Sequence, residues 1–249
     1  MPPVFTGSMT GVVNEDDAVG TEVLSVKATD GDTGNSRRIV YSLASNPNGY
    51  FVIDPDSGVV RVDKTLDRES LGSSSGGVLS LKVRASELVN GVASNDEISS
   101  SVADVTITIR DVNDEPPTFN AQEYRVTIPE NVPFGTPLGS LDMEVRDTDT
   151  GPNSIFKIEL IDGSGKFSVE PSRAVGQSAV SLKLNSKVLD FENPNERKFL
   201  LLIVATETDT AEKLSSTATV TVEVSGKSKS NQIKKKTVTV IFTKVVFVL

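Results

Sequence analysis

Residues 111–119 read DVNDEPPTF, and the seven residues before them, 104–110, read DVTITIR. Val105, Ile107 and Ile109 alternate with Thr106, Thr108 and Arg110, the period-two pattern of a strand with one face in a core. Pro116 and Pro117 cannot donate ladder hydrogen bonds, so the strand ends before them. Between strand and prolines stand Asp111, Asn113, Asp114 and Glu115, a dense set of oxygen donors. One such cluster is ordinarily a solvated turn. This one belongs to a recurring pattern.

The pattern is a tandem repeat of about 115 residues. PPVF at 2–5 returns as PPTF at 116–119, and VNEDDAVG at 13–20 is answered by IPENVPFG at 128–135. ATDGDTGNS at 28–36 pairs with VRDTDTGPNS at 145–154, LDRE at 66–69 with LDFE at 189–192, and VRASE at 83–87 with VATE at 204–207. Each half closes on alternating Val, Ile and Thr, DVTITIR in the first and ATVTVEV in the second. Within each half, short β-branched runs such as EVLSVKA, RIVYSLA and GVVRVD are separated by Gly, Asn, Asp and Ser turns, and none carries a helical period. That spacing predicts one β-sandwich per repeat. A Gly/Ser-rich stretch at 70–77 reads as a surface insertion.

The chain has 249 residues, enough for two domains that each bury a core. It contains no Cys, His or Trp, which removes disulfides, thiol nucleophiles, imidazole bases and the usual zinc ligands together. The net charge of −9 is uneven: residues 225–249 hold six lysines and no acid, which leaves 19 bases against 34 acids, or −15, in residues 1–224. Such a body repels nucleic acid and attracts cations. No signal peptide is visible at the start, and the apolar C-terminal run TVTVIFTKVVFVL is 13 residues, short of the roughly 20 of a membrane helix.

The recurring motifs are almost entirely oxygen donors at predicted strand ends, and calcium takes six to eight oxygen ligands in flexible geometry. Glu15, the pair Asp67 and Glu69, and the 111–115 cluster converge if the strands of the first repeat finish at one pole. Asp147 and Asp149 then face them from the start of the second repeat. In an extended segment the D-x-D and D-x-E spacings direct both carboxylates to one side. Carboxylates gathered this closely repel one another unless cations neutralise them.

On these motifs the chain resembles two tandem extracellular cadherin repeats over residues 1 to about 224. That family's linker reads D-x-N-D-N-x-P-x-F or close to it, and 111–119 matches with Glu115 at the fifth place. The resemblance implies an all-β chain of two tandem seven-stranded Greek-key sandwiches, immunoglobulin-like in kind, over 1–114 and 115–224. It also implies that Glu15, Asp67, Glu69, Asp111, Asn113, Asp114, Asp147, Asp149 and Asn153 bind three calcium ions (Ca2+) between the repeats. Val112, Glu115 and Asn153 could contribute carbonyls. The implied role is calcium-dependent adhesion or recognition at the cell surface, homophilic or heterophilic, with other cadherin-type ectodomains as partners. No enzyme activity, nucleic acid or small-molecule substrate is expected. The docking of a tryptophan by first-strand exchange is excluded for these two repeats, which carry none.

Departures qualify the match. Where the family has A-x-D, this chain has Glu87 and Glu207, and the extra methylene weakens the third ion, which would use Glu207. After VTVEV the second repeat reaches Ser225-Gly226-Lys227 rather than D-x-N-D, so Glu130, Asp190 and Glu192 are expected to lack ions. Asp30, Asp32 and Asn35 would serve a junction with a preceding repeat, and Pro2–Phe5 read as the stub of that earlier linker. The tail 225–249 stands outside the repeats: appended sequence, or a truncated membrane segment after Lys234–Lys236. Rival readings have specific defects. Asp30–Gly34 opens like an EF-hand loop but reaches Tyr41 at the twelfth position. Gly163–Lys166 lacks the rest of a phosphate loop. Asp67/Glu69 and Asp190/Glu192 as glycosidase pairs lack an aromatic sugar cleft. A calcium-dependent carbohydrate-binding sandwich has only three Tyr for stacking, and a plain structural spacer would show no self-association.

Overall fold

Alternating burial dominates the computed structural model, which describes residues 1–30, 32, 37–72, 75–139, 141–186 and 189–226. The expectations for Asn35 and for the tail from Lys227 fall outside these residues. The described chain is built of strands and short 3-10 turns, with no α-helix, and divides into two units. One comprises Met1–Asp114 with Thr148–Asn153; the other comprises Glu115–Asp147 and residues from Ser154 onward. No helix among the described residues is long and apolar enough to cross a membrane.

The first unit holds β1 (Val4–Thr6), β2 (Thr10–Asn14), β3 (Glu22–Ser25), β4 (Lys27–Thr29), β5 (Ile39–Ser45), β6 (Phe51–Ile53), β7 (Val59–Val62), β8 (Val78–Val89), β9 (Val92–Ala93) and β10 (Ser100–Arg110). β1 with β2, and β3 with β4, are single strands interrupted once. With β9 set aside as a short hairpin partner of β8, seven strands remain. One sheet runs β2-β10-β8-β5; the opposing layer is β3-β7-β6 with β1 on β4. β2 pairs parallel to β10 while β8 pairs antiparallel to it, the Greek-key arrangement. The alternation read in DVTITIR is realised on β10: Val105, Ile107 and Ile109 are buried, and the strand stops at Arg110, one residue before Asp111. These side chains meet Leu79, Leu81 and Val83 of β8 and Val60 and Val62 of β7 in one core.

The second unit repeats the plan with β11 (Thr118–Phe119), β12 (Glu123–Pro129), β13 (Met143–Arg146), β14 (Ile155–Ile161), β15 (Phe167–Glu170), β16 (Arg173–Val175), β17 (Gln177–Leu184), β18 (Lys198–Glu207) and β19 (Ser215–Ser225). Its sheets are β11-β13-β17-β15 and β12-β19-β18-β14-β16, with β12 again parallel to β19. Phe156, Leu182, Leu201, Ile203 and Val220 are fully buried in its own core. Phe167 and Phe199 meet edge to face at 5.1 Å.

The stretch 70–77 is only partly a surface loop. Gly77 is buried at φ +76°, its carbonyl accepts from Ile109 N at 2.7 Å, and a Cβ there would lie 2.6 Å from the Ile109 carbonyl oxygen. A glycine is needed where the loop presses onto β10.

Candidate metal centre

β2 and β10 run parallel in register, Asn14 opposite Arg110, so the residues that follow each strand emerge side by side at one pole. Glu15 follows β2 and its amide donates to the Arg110 carbonyl at 3.1 Å. Its carboxylate is buried and accepts from two backbone amides, Arg68 N on Oε2 and Val112 N on Oε1, each at 2.7 Å. One side chain thereby fastens the L-D-R-E turn and the start of the 111–115 segment to the same strand end.

Asp111 is held in turn. It accepts from Arg68 Nη1 at 3.1 Å, from Thr150 N at 3.1 Å on both oxygens, and from Asn153 Nδ2 at 2.9 Å. The segment 148–153, with Asp149, thus belongs to the first unit although the chain on either side of it belongs to the second.

Among the described residues three groups of carboxylates bring ligand-type oxygens within 4.8 Å of one another: Glu15, Glu69 and Asp111; Glu69, Asp114 and Asp149; and Asp30, Asp32 and Glu87. Glu69 is common to the first two. Its Oε1 is buried with no hydrogen-bond partner among the described residues, the nearest cation being Arg68 Nη1 at 3.7 Å. Desolvation first, then the shared hydrogen bond with Glu15 and the charges of Glu15 and Asp111, push the Glu69 carboxyl up to about 8. The donor set is all oxygen and flexible, which suits a hard divalent cation such as calcium.

Of the residues expected to bind ions, the structure brings together Glu15, Glu69, Asp111, Asp114 and Asp149, with Asn153 bonded to Asp111. Asp67 stands on a turn rather than on an extended segment. D-x-E spacing directs both carboxylates to one side only in an extended segment, whereas Arg68 is in the right-handed helical region and Glu69–Leu71 form a 3-10 turn. Asp67 is exposed and its Oδ1 accepts from Ser70 N at 2.8 Å, while Glu69 is half-buried. Asn113 is half-buried in the linker. Asp147 is buried in the second unit, its amide donating to the Gly176 carbonyl at 2.6 Å. Glu207 is also buried there; its Oε2 accepts from Thr210 Oγ1 at 2.5 Å and from Leu214 N at 3.1 Å. Neither belongs to the three groups, nor do Glu130, Asp190 and Glu192.

Two features escaped the sequence. Arg68, read only as the middle of D-R-E, supplies the positive charge on Asp111. Glu87, noted as a departure from the family pattern, is 1% exposed; Arg37 Nη1 donates to its Oε2 at 2.9 Å, and its Oε1 is buried without a hydrogen-bond partner. Beside it, backbone hydrogen bonds from Arg37 and then Asp32 hold the Asp30 carboxyl below the usual range.

A pH dependence follows from Glu69. Its folded, cation-free pKa lies above the unfolded value of about 4.5, so between roughly pH 4.5 and 8 the folded chain holds an extra proton, and cation-free stability falls as pH rises through that window. A divalent cation on Glu69 must displace that proton. Calcium affinity is therefore expected to weaken by roughly ten- to fiftyfold from pH 8 to pH 6, with proton release at pH 7. Calorimetry in buffers of different ionisation enthalpy measures both, and equal heats in all buffers would refute the displacement.

The comparisons with known proteins agree with this architecture. A family model described as "Cadherin domain" matches residues 9–110 and 124–225. Cadherin-87A of Drosophila melanogaster is 54% identical over 207 residues, which cover 83% of this chain and 10% of that protein. Human Cadherin-related family member 1 is 35% identical over 218 residues, covering 84% of this chain and 24% of that protein. The chain thus spans about a tenth to a quarter of the length of these curated relatives. Among solved structures, mouse Cadherin-23 EC22-24 has a TM-score of 0.68 at 27% identity, covering 90% of this chain and 67% of that one. The Protocadherin gammaB7 EC3-6 cis-dimer structure has a TM-score of 0.67 at 27% identity, covering 90% and 48%. The family model falls on both sandwiches: the chain belongs to the cadherin family.

Proposed function

We propose that this chain is a calcium-stiffened module of extracellular adhesion or recognition, made of one repeat over 1–114 and a second over 115–224. The observation that carries the reading is the sharing of Glu69 between two carboxylate groups, with one of its oxygens buried and unbonded. In the proposed assignment Glu15, Glu69 and Asp111 hold one ion, and Glu69, Asp114 and Asp149 hold a second. Asp67, Asn113, Asp147, Asn153 and Glu207 complete the ligand set. Asp30, Asp32 and Glu87 form a further set at the opposite pole.

Calcium supplies the positive charge that lets these carboxylates ionise together. The protein residues supply the rest: Glu15 ties two backbone segments, Arg68 and Asn153 orient Asp111, and Asp149 sits on a segment whose flanking residues, Asp147 and Ser154, belong to the second unit. Chain connectivity therefore couples the ions to the second repeat. A joint held this way transmits force and fixes the presentation of contact surfaces, which is the mechanical role proposed here. The partners are other cadherin-type ectodomains, and the location is the cell surface.

Small-angle X-ray scattering with millimolar calcium and with chelator tests the stiffening. The distribution of fitted inter-repeat arrangements is expected to collapse to a narrow set when calcium is added. Superimposable profiles in the two conditions would reduce the chain to a flexible two-domain spacer.

A further inference from the structure

Backbone hydrogen bonds fix how the two duplicated poles correspond. Glu15 Oε2 accepts from Arg68 N and Glu130 Oε2 from Phe191 N, so Phe191 stands at the place of Arg68. The Arg110 carbonyl accepts from Glu15 N and the Ser225 carbonyl from Glu130 N, so Gly226 stands at the place of Asp111. The Gly77 carbonyl accepts from Ile109 N and the Arg197 carbonyl from Val224 N, so Arg197 stands at the place of Gly77. Three positions therefore change together. At the first pole Arg68 Nη1 lies 3.1 Å from Asp111 Oδ1 and 3.7 Å from Glu69 Oε1, and none of the three side chains is more than 16% exposed. Gly77 leaves room for the arginine, since a Cβ there would lie 2.8 Å from Arg68 Nε. At the second pole no carboxylate stands at the place of Asp111, and a Cβ on Gly226 would lie 2.6 Å from Phe191 Cδ1. There Arg197 lies over the Phe191 ring at 4.9 Å, and Glu192, at the place of Glu69, is exposed. Of the two poles, the one that gathers Glu15, Glu69 and Asp111 is the one that buries a guanidinium among its carboxylates.

We propose that Arg68 is a tethered counter-ion that sets the calcium affinity of this pole, stabilising its carboxylates when calcium is absent and competing for them when it is present. The inference rests on the calcium reading above and adds to it a residue that works against the ion. One guanidinium offsets part of the charge gathered by Glu15, Glu69 and Asp111, so the cation-free pole repels itself less. Asp111 and Glu69 are also members of the proposed ion groups. A positive charge held against both draws on the negative charge a divalent cation needs and repels that cation directly. Burial keeps salt from screening the effect away. The effect on calcium exceeds the opposing effect on the Glu69 proton, because the ion carries twice the proton's charge. Orientation of Asp111 does not depend on the arginine alone, since Thr150 N and Asn153 Nδ2 hold the same carboxylate. Filling space is not reason enough for an arginine either: Phe191 occupies the same place in the second repeat.

Calcium titration calorimetry on the whole chain at about pH 8.5, where the Glu69 proton competes least, is the test, with melting curves in EDTA beside it. Arg68→Met keeps the apolar stem and removes the charge. It is expected to bind calcium about tenfold more tightly than the parent, and to melt at a lower temperature in EDTA. Arg68→Lys, which keeps the charge, is expected to stay close to the parent in both measurements. An arginine that only packs or only orients Asp111 would give the opposite pattern, a lower melting temperature with unchanged or weaker calcium binding, and that result overturns the proposal. A lysine variant that behaves like the methionine one overturns it as well, since charge would then not be the cause. The two readings fail separately: a parent that takes up no calcium removes the ion sites and the inference with them, whereas a parent that binds calcium no more weakly than Arg68→Met removes the inference alone.

Discussion

Glu69→Gln is expected to erase most of the calcium-dependent rise in melting temperature while leaving the calcium-free melt unchanged or slightly higher. Glu69 is the carboxylate common to both groups at the 111–115 pole, so its loss weakens two ions at once. Each ion at about 100-fold over its Kd stabilises the folded state by about 2.7 kcal/mol, so the pair supplies about 5 kcal/mol. For a domain of this size that corresponds to a shift of roughly 20 °C or more. Without calcium the glutamine is isosteric with a carboxyl that already holds its proton at neutral pH, and it spares the proton uptake that folding requires of Glu69. Scanning calorimetry of parent and variant, in millimolar calcium and in EDTA, reads all four states. A variant that shifts like the parent would remove Glu69 from the ion sites, and a parent with coincident curves would remove the ions.

Much of this pole was legible because it depends on strand ends. Once DVTITIR is a strand and VVN pairs beside it, Asp111 and Glu15 must emerge together, and the tandem duplication places Asp149 in the second copy's counterpart of ATDGDTGNS. What was illegible depends on local backbone conformation. D-R-E spacing implies two carboxylates on one side only if the chain is extended; here a 3-10 turn follows Arg68, and Asp67 accepts from the turn's own Ser70 N. The partners of Asp111 were hidden for a similar reason, since Thr150 N and Asn153 Nδ2 come from a turn 39 to 42 residues away.

Glu15→Ala is expected to destabilise the first repeat by about 3 kcal/mol in EDTA and, in addition, to abolish its calcium response. The two effects have separate origins. Both carboxylate oxygens of Glu15 already accept backbone hydrogen bonds, from Arg68 N and Val112 N, in a site buried by the end of β2. Removing an acceptor from a desolvated amide costs about 1–3 kcal/mol, and here two amides lose theirs together. The same carboxylate belongs to the group with Glu69 and Asp111, so the ion is weakened too. Glu15→Gln keeps one acceptor oxygen but turns an NH2 toward the second amide, so its cost in EDTA should be smaller and its calcium response still reduced. Comparison with Glu69→Gln then separates fastening from ion binding: one side chain matters with or without calcium, the other only with it. An Ala variant whose EDTA melt matches the parent would show that Glu15 serves the ion alone, and that the strand end, the turn and the linker hold together without it.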